Sequence, residues 1–201
     1  MNRKLFGLAA LALVAFSALA AAAQAGGPPV WLSDGVPIPA GTVEPVATSG
    51  RITIELRAPT GAPITSITCK VKDEDNIQNG PRGGTDEMTE FTLSGCKGKP
   101  SLCPKGTVTE VIALGLPWST VLSPGPPIRD QIFGAKLQVR CSNGVVIGTY
   151  EGTLQPEVGV SVLIFGAGSG LLTESKSGEI AEVLGSDKLK GPKGDKTITA
   201  A

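Results

Sequence analysis

The chain has 201 residues, with 18 basic and 18 acidic side chains and no histidine. That balance excludes a nucleic-acid binder, because phosphates demand a basic face, and it gives an anionic membrane surface nothing to attract. The missing histidine also removes the side chain most used to move protons near neutral pH.

At the start, Arg3 and Lys4 precede an uncharged apolar run from Leu5 to Ala23, and Ala23-Gln24-Ala25 supplies a small-x-small cleavage site. These are the three parts of an export signal over residues 1–25. No cysteine lies near the site, which argues against a lipid anchor. Removing the signal leaves 176 residues, enough for one domain with its own core, at a net charge of −2. Of these, 42 are glycine or proline, and they punctuate short runs of Val, Ile, Thr and Leu. Such punctuation marks an all-β chain. Residues 26–184 are expected to form one antiparallel β-sandwich or barrel of nine or ten short strands.

Val30-Trp31-Leu32, then Asp34-Gly35, then Val36-Pro37-Ile38 read as an opening hairpin. Arg51–Arg57 is a strand with Ile52, Ile54 and Leu56 inward. Ile67, Cys69 and Val71 alternate with Thr68, Lys70 and Lys72, which turns Cys69 inward. Met88–Ser94 follows, then Thr107–Leu114, which is apolar on both sides from Val111 onward and so expected to be central. The best-defined unit comes next. Phe133, Ala135, Leu137, Val139 and Cys141 alternate with polar or small residues up to Asn143-Gly144, the strongest two-residue hairpin signal. That turn sets Cys141 against Val146, Val139 against Gly148, Leu137 against Tyr150 and Phe133 against Leu154. On the other face Lys136 meets Glu151 and Gln138 meets Thr149. Strands at Val158–Phe165, Leu171–Glu174 and Glu179–Leu184 complete the set. Residues 185–201, with Lys188, Lys190, Lys193 and Lys196 among glycines, read as a solvated tail with room for a final edge strand at Thr197–Thr199.

Four cysteines behind an export signal read as two disulfides in a secreted protein. Cys69, Cys96, Cys103 and Cys141 lack the paired short spacings of a zinc site. Three pairings are possible. Cys96 and Cys103 bracket a turn-rich loop, so a local bridge is expected there, leaving Cys69 with Cys141. Both of those point inward.

Candidate chemistry is sparse. Asp73-Glu74-Asp75-Asn76-Ile77-Gln78-Asn79-Gly80, with Asp86 and Glu87, offers clustered oxygens of the kind calcium takes, but Ile77 occupies a ligand position and no helices flank the loop. An acidic hairpin loop over 73–87 is the expected reading. Gly166-Ala167-Gly168-Ser169-Gly170 lacks the helix and the lysine of a phosphate loop, so no cofactor is expected. Glu90, Glu110 and Asp130 could in principle serve a histidine-free hydrolase, if the fold brought two of them together. Trp31 and Trp118 are either core residues or sugar-stacking platforms. With Asp73, Asp75, Arg129 and Asp130 they are the candidate ligand contacts, and 73–87 and 123–130 are the candidate loops.

The order Trp31 and Gly35, Thr68-Cys69, Gly95-Cys96, Cys103-Pro104 and Gly115-Leu116-Pro117-Trp118 resembles a group of small secreted proteins of high-GC Gram-positive bacteria. The resemblance covers most of the exported part. It implies export and a disulfide-stapled β-fold and carries no activity or site residues. The expectation for function is therefore a secreted, bacterial, non-enzymatic β domain at the cell envelope or outside the cell. Its partner would be a wall polymer, a glycan or a protein, with no nucleic acid and no membrane span after cleavage. The rivals are the carboxylate hydrolase and an inhibitor or toxin presenting the Cys96–Cys103 loop.

Overall fold

Alternation persists far beyond the stretches in which the sequence displays it. From Thr65 to Asn79 every second residue is buried, acidic ones included. The computed structural model describes residues 27–191, 194 and 196–201; the export signal expected over 1–25 lies outside them. Fourteen strands and no helix occur among the described residues. They are β1 (Trp31–Ser33), β2 (Val36–Pro37), β3 (Val43–Arg57), β4 (Pro63–Gly80), β5 (Gly83–Lys99), β6 (Thr109–Ala113) and β7 (Trp118–Ser123). After these come β8 (Arg129–Cys141), β9 (Val146–Leu154), β10 (Glu157–Gly159), β11 (Val162–Phe165), β12 (Gly170–Glu174), β13 (Ile180–Lys190) and β14 (Ile198–Ala200).

The register closes eight of these strands into an antiparallel barrel. The ring runs β3-β4-β5-β7-β8-β9-β12-β13, and β13 returns to β3 over eleven paired residues from Ile180↔Arg57 to Lys190↔Ala47. This settles barrel over sandwich. Closure removes the exposed edges that a sandwich leaves unpaired. β6 pairs β8 where β7 does not reach, and β10 and β11 flank one end. Thr107–Leu114 is thus an accessory strand and not a central one. The strands also exceed the expected number and length, because β3, β4 and β5 run for 15, 18 and 17 residues.

A second sheet, in the order β14-β1-β2, lies across one end as a plug. Its strands come from the segments before β3 and after β13. The presumed tail is therefore structured for much of its length: Asp187, Leu189 and Ile198 are all buried. The final strand falls at Ile198–Ala200 and pairs with Trp31–Ser33.

The expected hairpin forms, with its centre as read. Lys136 meets Glu151, Leu137 meets Tyr150, Gln138 meets Thr149 and Val139 meets Gly148. Its ends slip. A bulge between Ile132 and Ala135, with Gly134 at φ 69°, sets Ile132 against Leu154 and turns Phe133 outward to 44% exposure. The extra residue reverses the parity, so Asp130 points inward.

The disulfides pair otherwise than expected: Cys69 joins Cys96, and Cys103 joins Cys141. Cys69 and Cys141 are both buried, but they sit on β4 and β8, which β5 and β7 separate around the ring. Cys96 instead lies across the ladder from Cys69, where the β4–β5 register shifts between Thr68 and Lys70. Bridging 27 and 38 residues, the two contribute about 3.5 and about 4 kcal/mol on a loop-closure estimate. Two structural disulfides place the chain in an oxidising environment outside the cytoplasm.

Candidate functional site

The barrel interior is apolar through its middle and far end, where Ile52, Ile54, Leu56, Ile67, Leu137, Tyr150, Leu172 and Val183 fill it. Toward the plug the same inward positions change chemistry. Strand β4 contributes Asp73 and Asp75, β5 contributes Asp86, β8 contributes Asp130 and β13 contributes Asp187. All five are buried, Asp130 and Asp187 completely. The ladder places Thr48 directly opposite Asp73, Thr120 opposite Asp86, and Gly50 opposite Asp187.

Gly50 is what admits Asp187. A Cβ at position 50 would overlap the Ser186 carbonyl and the Asp187 carboxylate, and would lie 2.8 Å from the Asp187 Cα. The absent side chain is the space the carboxylate uses.

These carboxylates have no counter-charge. Both oxygens of Asp73, Asp130 and Asp187, and Oδ1 of Asp75 and Asp86, are buried without a hydrogen-bond partner. So are the hydroxyls of Thr48 and Thr120 and the indole Nε1 of Trp31. Burial penalises the ionised form, and neighbouring carboxylates add to the penalty. Desolvation, then Asp187 and Asp130, push Asp73 well above the ordinary range. Desolvation followed by the charges of Asp73 and Asp86 does the same to Asp75. Asp86 is raised by desolvation and then by Asp130. Desolvation lifts Asp187 to about 7. It lifts Asp130 to about 6, a rise that Thr120 and Asp86 beside it moderate. Among the described residues no three His, Cys, Asp or Glu side chains stand close enough to hold one metal ion.

The plug covers this layer. Asn79, two positions beyond Ile77 on the same inward face of β4, anchors it. Its Oδ1 accepts from Trp31 N at 2.7 Å, and its Nδ2 donates to the carbonyls of Trp31 and Ile38 at 2.8 and 2.9 Å. Gly84 N donates to the Pro29 carbonyl at 2.7 Å. The Trp31 ring lies against Gly84, two residues from Asp86 on the same face, where a Cβ would meet Trp31 Cδ1 at 2.8 Å.

Of the candidate contacts, the structure gathers Asp73, Asp75, Asp130 and Trp31 at this end. Trp118 is buried in the apolar part, its ring 5.4 Å from that of Phe91 and its Nε1 donating to the Leu114 carbonyl at 3.0 Å. Neither tryptophan is an exposed platform. Arg129 sits half-exposed beside Glu157 at 3.4 Å. The acidic loop over 73–87 is no loop, since its residues lie on β4 and β5 around a turn at Pro81-Arg82, so a calcium loop from Asp75 to Asp86 does not exist. Glu90, Glu110 and Asp130 are not brought together. Glu90 is exposed, Glu110 pairs with Arg140 at 2.8 Å and Asp130 is inside. The proposed inhibitory loop loses its closing bridge, because Cys96 and Cys103 are bonded elsewhere. The 123–130 segment does form a turn, one wall of an open apolar groove of about 740 Å³ with Pro29, Leu32 and Pro37.

Asp86 and Asp187 were missed as members of one constellation. The sequence marks Asp86 only as the end of a calcium-like loop. The alternation Ile67, Cys69, Val71, continued two steps, would have placed Asp73 and Asp75 inside; nothing local marks Asp187. Comparison with protein families, with curated proteins and with solved structures finds no match. The molecule is defined by its architecture: a closed eight-stranded antiparallel barrel, disulfide-bonded, with an acid-lined end beneath a plug.

Proposed function

We propose that this is an exported, non-enzymatic binding barrel of the cell envelope or extracellular space, and that its ligand presents an ammonium group to the aspartate layer. The observation that carries this reading is the excess of acceptors: eight buried carboxylate oxygens are offered only two hydroxyls and one indole N–H, and the approach of Thr120 to Asp86 and Asp130 leaves that excess standing. What completes such a layer in its ionised form must bring donors and positive charge. An ammonium does both and tolerates dispersed carboxylates, whereas a metal ion needs converging ligands. The Trp31 ring beside the layer adds an aromatic face of the kind that attracts organic cations. A barrel of eight strands has room for packed side chains or one small ligand, which keeps the ligand group small. The charged outer wall, with Lys136–Glu151 and Arg140–Glu110 pairs, is unlike a lipid-facing surface.

The test is thermal unfolding at pH 8 with putrescine, spermidine and calcium chloride, against sodium chloride at matched ionic strength. The amines should raise the melting temperature, and the Asp130→Asn/Asp187→Asn variant should lose the response. No shift beyond the salt control, or a shift that persists in the variant, overturns the reading.

A further inference from the structure

We propose that the three-stranded plug is a proton-controlled closure, seated while the aspartate layer is protonated and released when that layer ionises. The inference extends the binding reading by giving its site a gate, and the closing experiment contains no ligand, so either can fail alone.

Consider first what faces the layer. From β3 come Thr48 and Gly50, from β5 Met88, from β7 Thr120 and Leu122, from β8 Ile132, from β13 Leu189, and from the plug Trp31 and Ile198. The titratable groups among these inward residues are the five aspartates themselves. No described lysine or arginine is buried with them to take up their charge. Ionisation therefore meets only like charge, and the cheapest relief is to admit water. Protonated carboxyls, by contrast, become donors and can satisfy one another and the two threonines.

Water can enter most easily through the plug. Its three strands come from outside β3 and β13, so it can lift without breaking a rung of the barrel. Its polar anchors are Asn79, the Gly84–Pro29 bond, Ser161, whose N donates to the Ile198 carbonyl at 2.8 Å and whose Oγ accepts from Ile198 N at 3.3 Å, and Glu44, which takes Lys196 at 2.8 Å and the Ser33 hydroxyl at 3.1 Å; Trp31, Ile38 and Ile198 add buried apolar contact. Asn79 lies on the face of β4 that carries Asp73 and Asp75, so strain in the layer reaches the anchor directly. The Trp31 indole Nε1 itself finds no acceptor in the layer that the plug covers. Burial holds all five carboxyls protonated beyond the ordinary carboxylate range, Asp130 to about 6 and Asp187 to about 7, so the layer gains charge only as pH rises past that range.

Hydrogen exchange of the native protein at pH 5 and pH 8, corrected for intrinsic rates, tests this. Residues 27–42 and 196–201 should lose protection at least tenfold at pH 8 while β3 and β8 keep theirs. Asp130→Asn/Asp187→Asn should hold the plug closed at pH 8, with Asp187→Asn alone as the fallback if the double variant does not fold. Asn79→Ala should show the released pattern even at pH 5. Equal plug protection at both pH values, loosening of the whole barrel with the plug, or an unchanged response in the aspartate variant overturns the proposal.

Discussion

The far end and the plugged end of this barrel are made by one strand pattern and treat polar atoms in opposite ways. In the apolar part the buried ring polar groups find partners: Trp118 Nε1 donates to Leu114 O, and the Tyr150 hydroxyl donates to Glu179 at 3.0 Å. Both disulfides belong to that part, joining inward or rim positions away from the aspartates. Under the plug, eight oxygens of the five carboxyls and the Trp31 indole are buried without partners, and neither disulfide ties the plug down. An interior selected for stability alone would not keep unpaired carboxylates on half of its wall. Where local rules are broken while the rest of the fold obeys them, function is the expected reason.

Three substitutions break or sharpen that contrast. The largest effect belongs to the apolar part: Ile54→Ala, at a fully buried position, should cost about 4 kcal/mol in urea unfolding, equally at pH 5 and pH 8. Asp130→Asn should act in the opposite direction and only at higher pH. Asp130 and Asp187 titrate near 6 and 7 in the native state and near 4 when unfolded, so the native state retains protons that the unfolded chain has already released. Their contribution is thus full below about pH 4 and is lost as pH rises through 7. The native protein should accordingly melt higher at pH 4.5 than at pH 8, the reverse of ordinary acid denaturation. At pH 8 Asp130→Asn should add about 3 kcal/mol, and at pH 3 nothing. Smallest is the outer wall, where Lys136→Ala, breaking a half-exposed pair with Glu151, should change stability by less than about 0.5 kcal/mol. A flat stability profile from pH 4 to 8 would erase the distinction between the two ends.

Class and local register were legible in the sequence because they depend on period-two patterning and turn residues. Ile52, Ile54 and Leu56 are inward as read, and the turn at Asn143-Gly144 fixes four rungs of its hairpin. Ring closure was not legible, since the β13–β3 pairing joins segments more than a hundred residues apart and leaves no local trace. The cysteine pairing failed for the same reason: inward direction says nothing about which side of a ring a residue occupies. The acidic layer was half legible. Runs such as Asp73-Glu74-Asp75 look like solvated loops because charged residues are seldom buried, so composition overrode an alternation that was in fact unbroken.

Gly50 and Asp187 form a lock in which the hole and the key are separate inheritances. A Cβ at position 50 would collide with the Asp187 carboxylate and, more closely still, with the Ser186 carbonyl, so the approach of the β13 backbone demands glycine there as much as the carboxylate does. Related chains that keep aspartate at 187 should therefore keep glycine at 50, alanine at 50 beside aspartate at 187 should be rare, and Gly50 should persist even where Asp187 is replaced.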